Sequence, residues 1–303
     1  MYKLKQIPED FIVNEISDLK LKDKGKYTIF KLKKRNYTTE RAIQTLSKKY
    51  NLKRKYFSYA GNKDKYAVTT QYVSVLGNIK EKDIKDLKIE VLGFSDEPVY
   101  TGRLIGNEFI ITVRNIDKKP DKTEFVINYF DEQRFSENNV AIGRAIIKKE
   151  FRKAVELIDQ EKVKKHIDEY PNDCVGAIKK LPYKIQNIFI HAYQSYLCNR
   201  FVGEYIINKK FEFSKVNYSQ GKFIFVKTRP QNLTIPIISF DTQFEYQKIK
   251  KSYLDLLKKE NLTLRDFIIR KMPNLTPMGS ERNLVTDVEN LHRSEEHTSE
   301  LQS

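Results

Sequence analysis

The sequence predicts an α+β protein built on a mixed, largely antiparallel sheet with flanking helices. Three observations carry this. Short β-branched and aromatic runs recur along the chain, helical segments lie between them without regular βα alternation, and after about residue 137 the texture turns from strand-rich to helix-rich. The 303 residues allow one large domain or two smaller ones, and 40% apolar content suffices for real cores.

The elements follow in order. The stretch "YTIFKLKKR" (27–35) alternates apolar and basic residues, which predicts a strand with one buried and one cationic face. "TTERAIQTLSKKYN" begins with a Thr cap and sets Ala42, Ile43, Leu46 and Tyr50 on one side of a helix. "YFSYAG" and "VTTQYVSVLG" read as two strands joined through the Gly61 turn. A short helix over "EKDIKDL", a strand over "IEVLGFSD" and a strand over Asn107 to Ile116 follow. Beyond residue 137, "NVAIGRAIIKKEFRKAVELIDQEKVKKHIDEY" has helical period, and "LPYKIQNIFIHAYQSYLCNRFVGEYI" is a long helix starting near a proline. The strands "KFIFVKT" and "IPIIS" and the helices "EYQKIKKSYLDLLKK" and "TLRDFII" complete a second, mixed half.

Charge narrows the partner. There are 56 Lys+Arg against 40 Asp+Glu, a net charge of +16, which points to a polyanion, RNA or DNA ahead of an anionic membrane. The 18 Phe and 18 Tyr offer faces on which splayed bases stack. Cys174 and Cys198 are the only cysteines and have no metal-ligand spacing, so neither a disulfide framework nor a zinc site is expected. No apolar stretch is long enough to span a bilayer, and the reducing cytoplasm is the expected location. No GxxxxGK(S/T) loop or GxGxxG turn occurs, so no nucleotide cofactor is expected, and the four histidines are too scattered for a metal cluster, so no metal is expected.

One carboxylate, Asp64, stands between two lysines in "YAGNKDKYAVTTQ". Taken alone this is ordinary loop chemistry. The surrounding blocks change its meaning. "AGNKDKYAVTTQ" resembles the (A/G)GxKDxxAxTxQ motif of the TruD family of tRNA pseudouridine synthases, usually named for position 13. "NYFDEQRFS" resembles that family's NYFGxQRFG, with Asp131 and Ser136 in place of two glycines. "KQIPEDFIVNEI" resembles its KxxPEDFxVxE, "GNEFIITVRNI" its GNxFxxxxR strand, and "HAYQSYLCNR" its QSxxFN helix, with Cys198 where Phe is common. Five blocks in the family's order cover nearly the whole chain.

The resemblance implies a pseudouridine synthase fold carrying an inserted TRUD-type α/β domain. Residues 1–150 would be catalytic, with 273–292 returning to them, and 151–272 would be the insertion. It implies tRNA as the partner and a reaction in which the uridine N1–C1′ bond breaks, the uracil turns in place and C5 bonds to the ribose. No cofactor is required. Asp64 takes the catalytic position, as a nucleophile on ribose or base or as a base removing a ribose proton. A cation must hold its charge once a base covers it; Lys63 and Lys65 are adjacent, but neighbours in extended backbone point opposite ways, and Lys5 is as good a candidate. Phe130 would stack on the uracil and Asn128 would bond the carboxylate or a base edge, while Gln133 and Arg134 shape the loop or contact phosphate. Two other readings stay open at this point: a catalytically silent RNA-binding protein on the same fold, and a metal-assisted nuclease, which would want clustered carboxylates. Oligomeric state is not legible.

The end, "RSEEHTSELQS" (293–303), reads as a translated sequencing adapter. Its one Arg and three Glu sum to −2, so the remainder carries +18. The expectation is that the natural C-terminus, with a final strand of the type LPxGSYAT, is missing. A chain so shortened would be less stable, weakly active or inactive, and poorly ordered from about Asn283 onward.

Overall fold

The computed structural model describes residues 2–82, 84–100, 103–116, 121–136 and 138–294. It divides into two compact units, Met1–Pro120 and Asp121–Ser303.

The first unit contains β1 (Lys3–Leu4), β2 (Phe11–Ile16), β3 (Tyr27–Arg35), helix α1 (Thr39–Tyr50), β4 (Phe57–Tyr59), β5 (Val68–Leu76), β6 (Leu87–Ser95), β7 (Gly106–Ile111) and β8 (Val113–Arg114). Its main sheet runs β6-β3-β5-β2-β7, with β4 added on β5, and β1 pairs separately with β8. Every pair is antiparallel except β2 with β5, which lie parallel with Ile12 opposite Val68 and Asn14 opposite Thr70. Thr38 caps α1 by accepting from the Arg41 amide at 3.2 Å. Ala42, Ile43 and Leu46 then bury against Phe30, Leu32, Val73 and Val75. Burial of each Leu- or Ile-sized side chain contributes about 1.5–3 kcal/mol, so this face holds the helix to the sheet.

Parallel pairing has a positional consequence. The segments preceding β2 and β5 must emerge at the same end of the sheet. The antiparallel strand β3 terminates there too, since Arg35 pairs with Val68. The N-terminal segment, the Asp64 loop and the last residues of β3 therefore converge.

The second unit contains β9 (Phe125–Ile127), α2 (Asn139–Ile147), α3 (Phe151–Leu157), α4 (Glu161–Glu169), α5 (Cys174–Lys179), α6 (Tyr183–Asn208), β10 (Phe213–Tyr218), β11 (Gly221–Val226), β12 (Thr234–Ile237), α7 (Gln247–Lys259), β13 (Ser280–Asn283) and β14 (Val285–Asp287). Three antiparallel pairs, β10–β11, β12–β13 and β14–β9, border a core centred on α6. Among the described residues no helix is long and apolar enough to cross a membrane.

Several expectations are corrected. "EKDIKDL" forms no helix among its described residues; Ile84 bridges to Leu87 around Asp86, whose φ is +63. "TLRDFII" is a single 3-10 turn at Leu264–Phe267, closed by Asp266 accepting from the Thr263 amide. The helical stretch after residue 137 breaks at Lys149 (φ +64) into separate helices, and the strand from Asn107 interrupts at Thr112, whose amide donates to the Asp10 carbonyl at 2.8 Å. The compact units meet in sequence at 120/121, and α2 packs its apolar face on α6. Residues 280–287 pair with β12 and β9, so order persists beyond Asn283; residues 295–303 of the adapter-like stretch lie outside the described residues.

The α2–α6 approach is close at Gly143, where an added Cβ would collide with the Phe189 carbonyl oxygen and crowd Tyr193. Alanine gains up to about 1 kcal/mol of helix propensity. Backbone on backbone cannot yield, and overpacking of this kind costs about 1–3 kcal/mol or more. Gly143→Ala is therefore expected to lower the denaturant midpoint; an unchanged midpoint would show that the helices separate freely.

Candidate active site

Asp64 sits on the loop between β4 and β5, and its carboxylate is 39% exposed. Its partner is Lys5, whose Nζ lies 3.1 Å from Oδ2 and 3.7 Å over the Phe11 ring. Lys5 adopts φ +51, an uncommon conformation for a side chain with a Cβ. The adjoining segment is pinned from three sides. The Asp10 carboxylate, 1% exposed, accepts from the Gln6 and Ile7 amides at 2.9 and 3.3 Å. Arg114 grips the same carboxylate through Nε and Nη2, the shortest contact being 2.7 Å. Tyr66, on the Asp64 side, donates to the Gln6 carbonyl at 2.7 Å. The PED and GNxFxxxxR blocks thus deliver Lys5 to Asp64.

The loop backbone is fastened from below by buried polar groups. Lys63, adjacent to Asp64, turns inward and pairs with Glu15 at 2.8 Å, their side chains being 7% and 1% exposed. Thr39 accepts from the Lys63 amide at 2.9 Å and donates to Gln71, which in turn donates to the Gly61 carbonyl at 3.1 Å. Lys34, fully buried on β3, donates to the Asp64 carbonyl at 2.7 Å and the Tyr37 carbonyl at 2.6 Å. The loop is held in place while the carboxylate remains accessible to a ligand. Lys34 corrects the reading of β3 as simply apolar on one face and cationic on the other.

The second unit carries the other named residues. Asn199 on α6 grips Phe130 by its backbone, accepting from its amide at 2.9 Å and donating to its carbonyl at 2.8 Å. Arg282 on β13 donates to the carbonyls of Asn128 and Tyr129 and to the Asn128 side chain, and its guanidinium lies 4.2 Å over the Phe130 ring. That face of Phe130 is covered. Asn128 itself donates to the Asn283 carbonyl at 2.9 Å. Arg134 bonds Ser195 at 3.3 Å and lies 5.6 Å from the Phe130 ring. Burial pushes both guanidiniums below their ordinary range, and neither pairs with a carboxylate among the described residues. Gln133 lies exposed in the 3-10 turn Glu132–Arg134. Ser136, where the family has glycine, keeps a glycine-like φ of +49.

Lys34, Glu15, Thr39, Gln71, Asp10, Arg114, Asn199, Ser195 and Arg282 were missed as functional side chains. All but Lys34, Thr39 and Arg282 lie inside the five recognised blocks. Lys34 had its own signal: with period two it shares the face of Phe30 and Leu32.

The crystal structure of a tRNA pseudouridine synthase D from Methanosarcina mazei is similar with a TM-score of 0.71, at 26% identity, over 93% of this chain and 83% of that one. The fold is that of a pseudouridine synthase. The profile of the family described as tRNA pseudouridine synthase D (TruD) matches residues 2–165 and 156–217, and the chain belongs to that family. Relatives named probable tRNA pseudouridine synthase D include one from Methanococcus maripaludis, 30% identical over 88% of this chain and 84% of the relative. Another, from Methanosarcina acetivorans, is 28% identical over 95% and 84%.

The Asp10–Arg114 pair generates a pH prediction. The Arg114 hydrogen bond holds the Asp10 carboxyl below its ordinary value of 3.8. A depressed folded pKa contributes stability that is fully present above that ordinary value and is lost as pH falls through the folded one. In urea unfolding, Asp10→Asn should be less stable than wild type at neutral pH, and the gap should narrow below about pH 4. A gap of constant size would mean that the charge on Asp10 adds nothing.

Proposed function

We propose that this chain converts uridine to pseudouridine in tRNA, at position 13, with Asp64 as the catalytic carboxylate. The observation that carries the reading is an accessible Asp64 carboxylate, paired with Lys5 at 3.1 Å, on a loop whose backbone is tied down by buried groups. Lys5 beside the carboxylate sustains its charge when the target base displaces water. The carboxylate then acts as nucleophile on ribose or base, or removes a ribose proton. The N1–C1′ bond breaks, the uracil turns, the C5–C1′ bond forms, and C5 releases the proton that balances the one N1 gains. Nothing is oxidised and no group is lost.

Residues 151–272 act as the inserted domain and, with the surplus basic charge, grip the tRNA from the cytoplasmic pool. The target base leaves its stack at a cost of a few kcal/mol. Phe130 stacks on the uracil, Asn128 meets a base edge, and Gln133 and Arg134 approach the RNA backbone.

Asp64→Asn should abolish pseudouridine formation while leaving tRNA affinity nearly intact, because it keeps the shape and removes the charge. Turnover above about 5% of wild type would reassign the catalytic carboxylate. Phe130→Ala should weaken capture of the base more than overall tRNA binding, by about 1–3 kcal/mol; equal losses for any RNA would make Phe130 a packing residue. Affinity should fall steeply between about 50 and 200 mM salt, and a flat response would show that docking does not rest on phosphate contacts.

A further inference from the structure

Lys34 is 0% exposed, yet among the described residues no carboxylate reaches its ammonium within hydrogen-bond distance. Its three acceptors are backbone carbonyls, those of Tyr37 at 2.6 Å, Asp64 at 2.7 Å and Lys63 at 3.4 Å. An ammonium carries three protons, so each has an acceptor. Taking such a charge out of water is costly, and a Met or Leu of similar reach would fill the space without that cost. What the charge adds is local: two of the three bonds hold the carbonyls of the residues at the reactive turn.

We infer that Lys34 is a positioning residue for the isomerisation, its ammonium fixing the Lys63–Asp64 backbone so that the Asp64 carboxylate is aimed at the target nucleotide. This rests on the function proposed above. The charged groups acting on Lys34 are Asp64 and Lys63 of the loop, themselves paired with Lys5 of the N-terminal segment and Glu15 of β2.

A consequence follows for pH. Burial lowers Lys34 to about 8, partly offset by Asp64, so it is charged at neutrality and loses its proton just above. The neutral amine has two protons for three carbonyls, and the turn loses a tie. Stability moves the other way. The folded pKa lies below the unfolded value of 10.5, so between about 8 and 10.5 the unfolded chain binds more protons and this group adds stability as pH rises. Activity and stability therefore diverge over one pH interval. A lysine that only supported the fold would show the same gain in stability and leave the rate of the folded enzyme unchanged over that interval.

The test is single-turnover pseudouridine formation on an unmodified tRNA transcript from about pH 6 to 10, with tRNA affinity and melting temperature measured alongside. Wild type should show an alkaline limb near pH 8, its rate falling at least about tenfold by pH 9.5 with affinity little changed. Lys34→Arg, charged throughout, should lack that limb. Lys34→Met should lose about 100-fold in rate at neutral pH, the scale of a 1 Å misplacement, and keep its tRNA affinity within about twofold. A flat wild-type profile, a limb that persists in Lys34→Arg, or a folded Lys34→Met within about tenfold of wild type overturns the inference. If Lys34→Met does not fold, the wild-type profile decides. Absence of pseudouridine at every pH in wild type would instead overturn the proposed function.

Discussion

Parallel pairing of β2 with β5 is the constraint on which the surroundings of Asp64 depend. Both strands begin at the same end of the sheet, so the residues before each, Lys5 to Asp10 and Gly61 to Ala67, become neighbours. An antiparallel β2 of six residues would carry Lys5 to the far end, about 20 Å away at 3.3 Å per residue. β3, antiparallel to β5, ends at the same place and brings Lys34 beneath the loop. Topology, more than any single contact, makes a lone carboxylate into a site.

Magnitudes separate the groups that aim Asp64 from the pair that is aimed. The Lys5–Asp64 pair has side chains 34% and 39% exposed, and an ion pair so placed contributes about 0–1 kcal/mol. It does little for stability and leaves the carboxylate free for a substrate. The Lys63–Glu15 pair is buried, and removing one partner of such a pair costs about 3–5 kcal/mol. Strong, dry contacts thus fix the backbone while the carboxylate proposed as catalytic stays in a weak, wet contact. The second unit repeats this division: Asn199 and Arg282 hold the backbone around Phe130, and Arg134 keeps guanidinium protons to spare. Preorganisation of this kind lets electrostatic stabilisation act without reorganisation at the moment of reaction.

Much of this was legible in the sequence. Long periodic segments such as α1, α6 and α7 were read correctly because capping, period and length agreed. The failures were short segments, where "EKDIKDL" and "TLRDFII" have helical composition but too few residues to offset nucleation, and local turns win. Asp64 could be singled out because it lay in a block with a family resemblance. Its supports could not, since a buried Lys, Thr or Gln announces itself only through parity within a strand. Lys63 illustrates the limit: beside Asp64 in sequence, it points away into a pair with Glu15, 48 residues earlier, whereas Lys5, 59 residues away, meets the carboxylate.

The most direct measurement is a map of pseudouridine in host tRNA with the gene intact, deleted, and restored as wild type or as Asp64→Asn. Uridine 13 is predicted to be pseudouridine in the intact strain, to revert on deletion, and to be recovered by wild type alone. Recovery of the modification by Asp64→Asn, or a tRNA map indifferent to the deletion, would contradict the account.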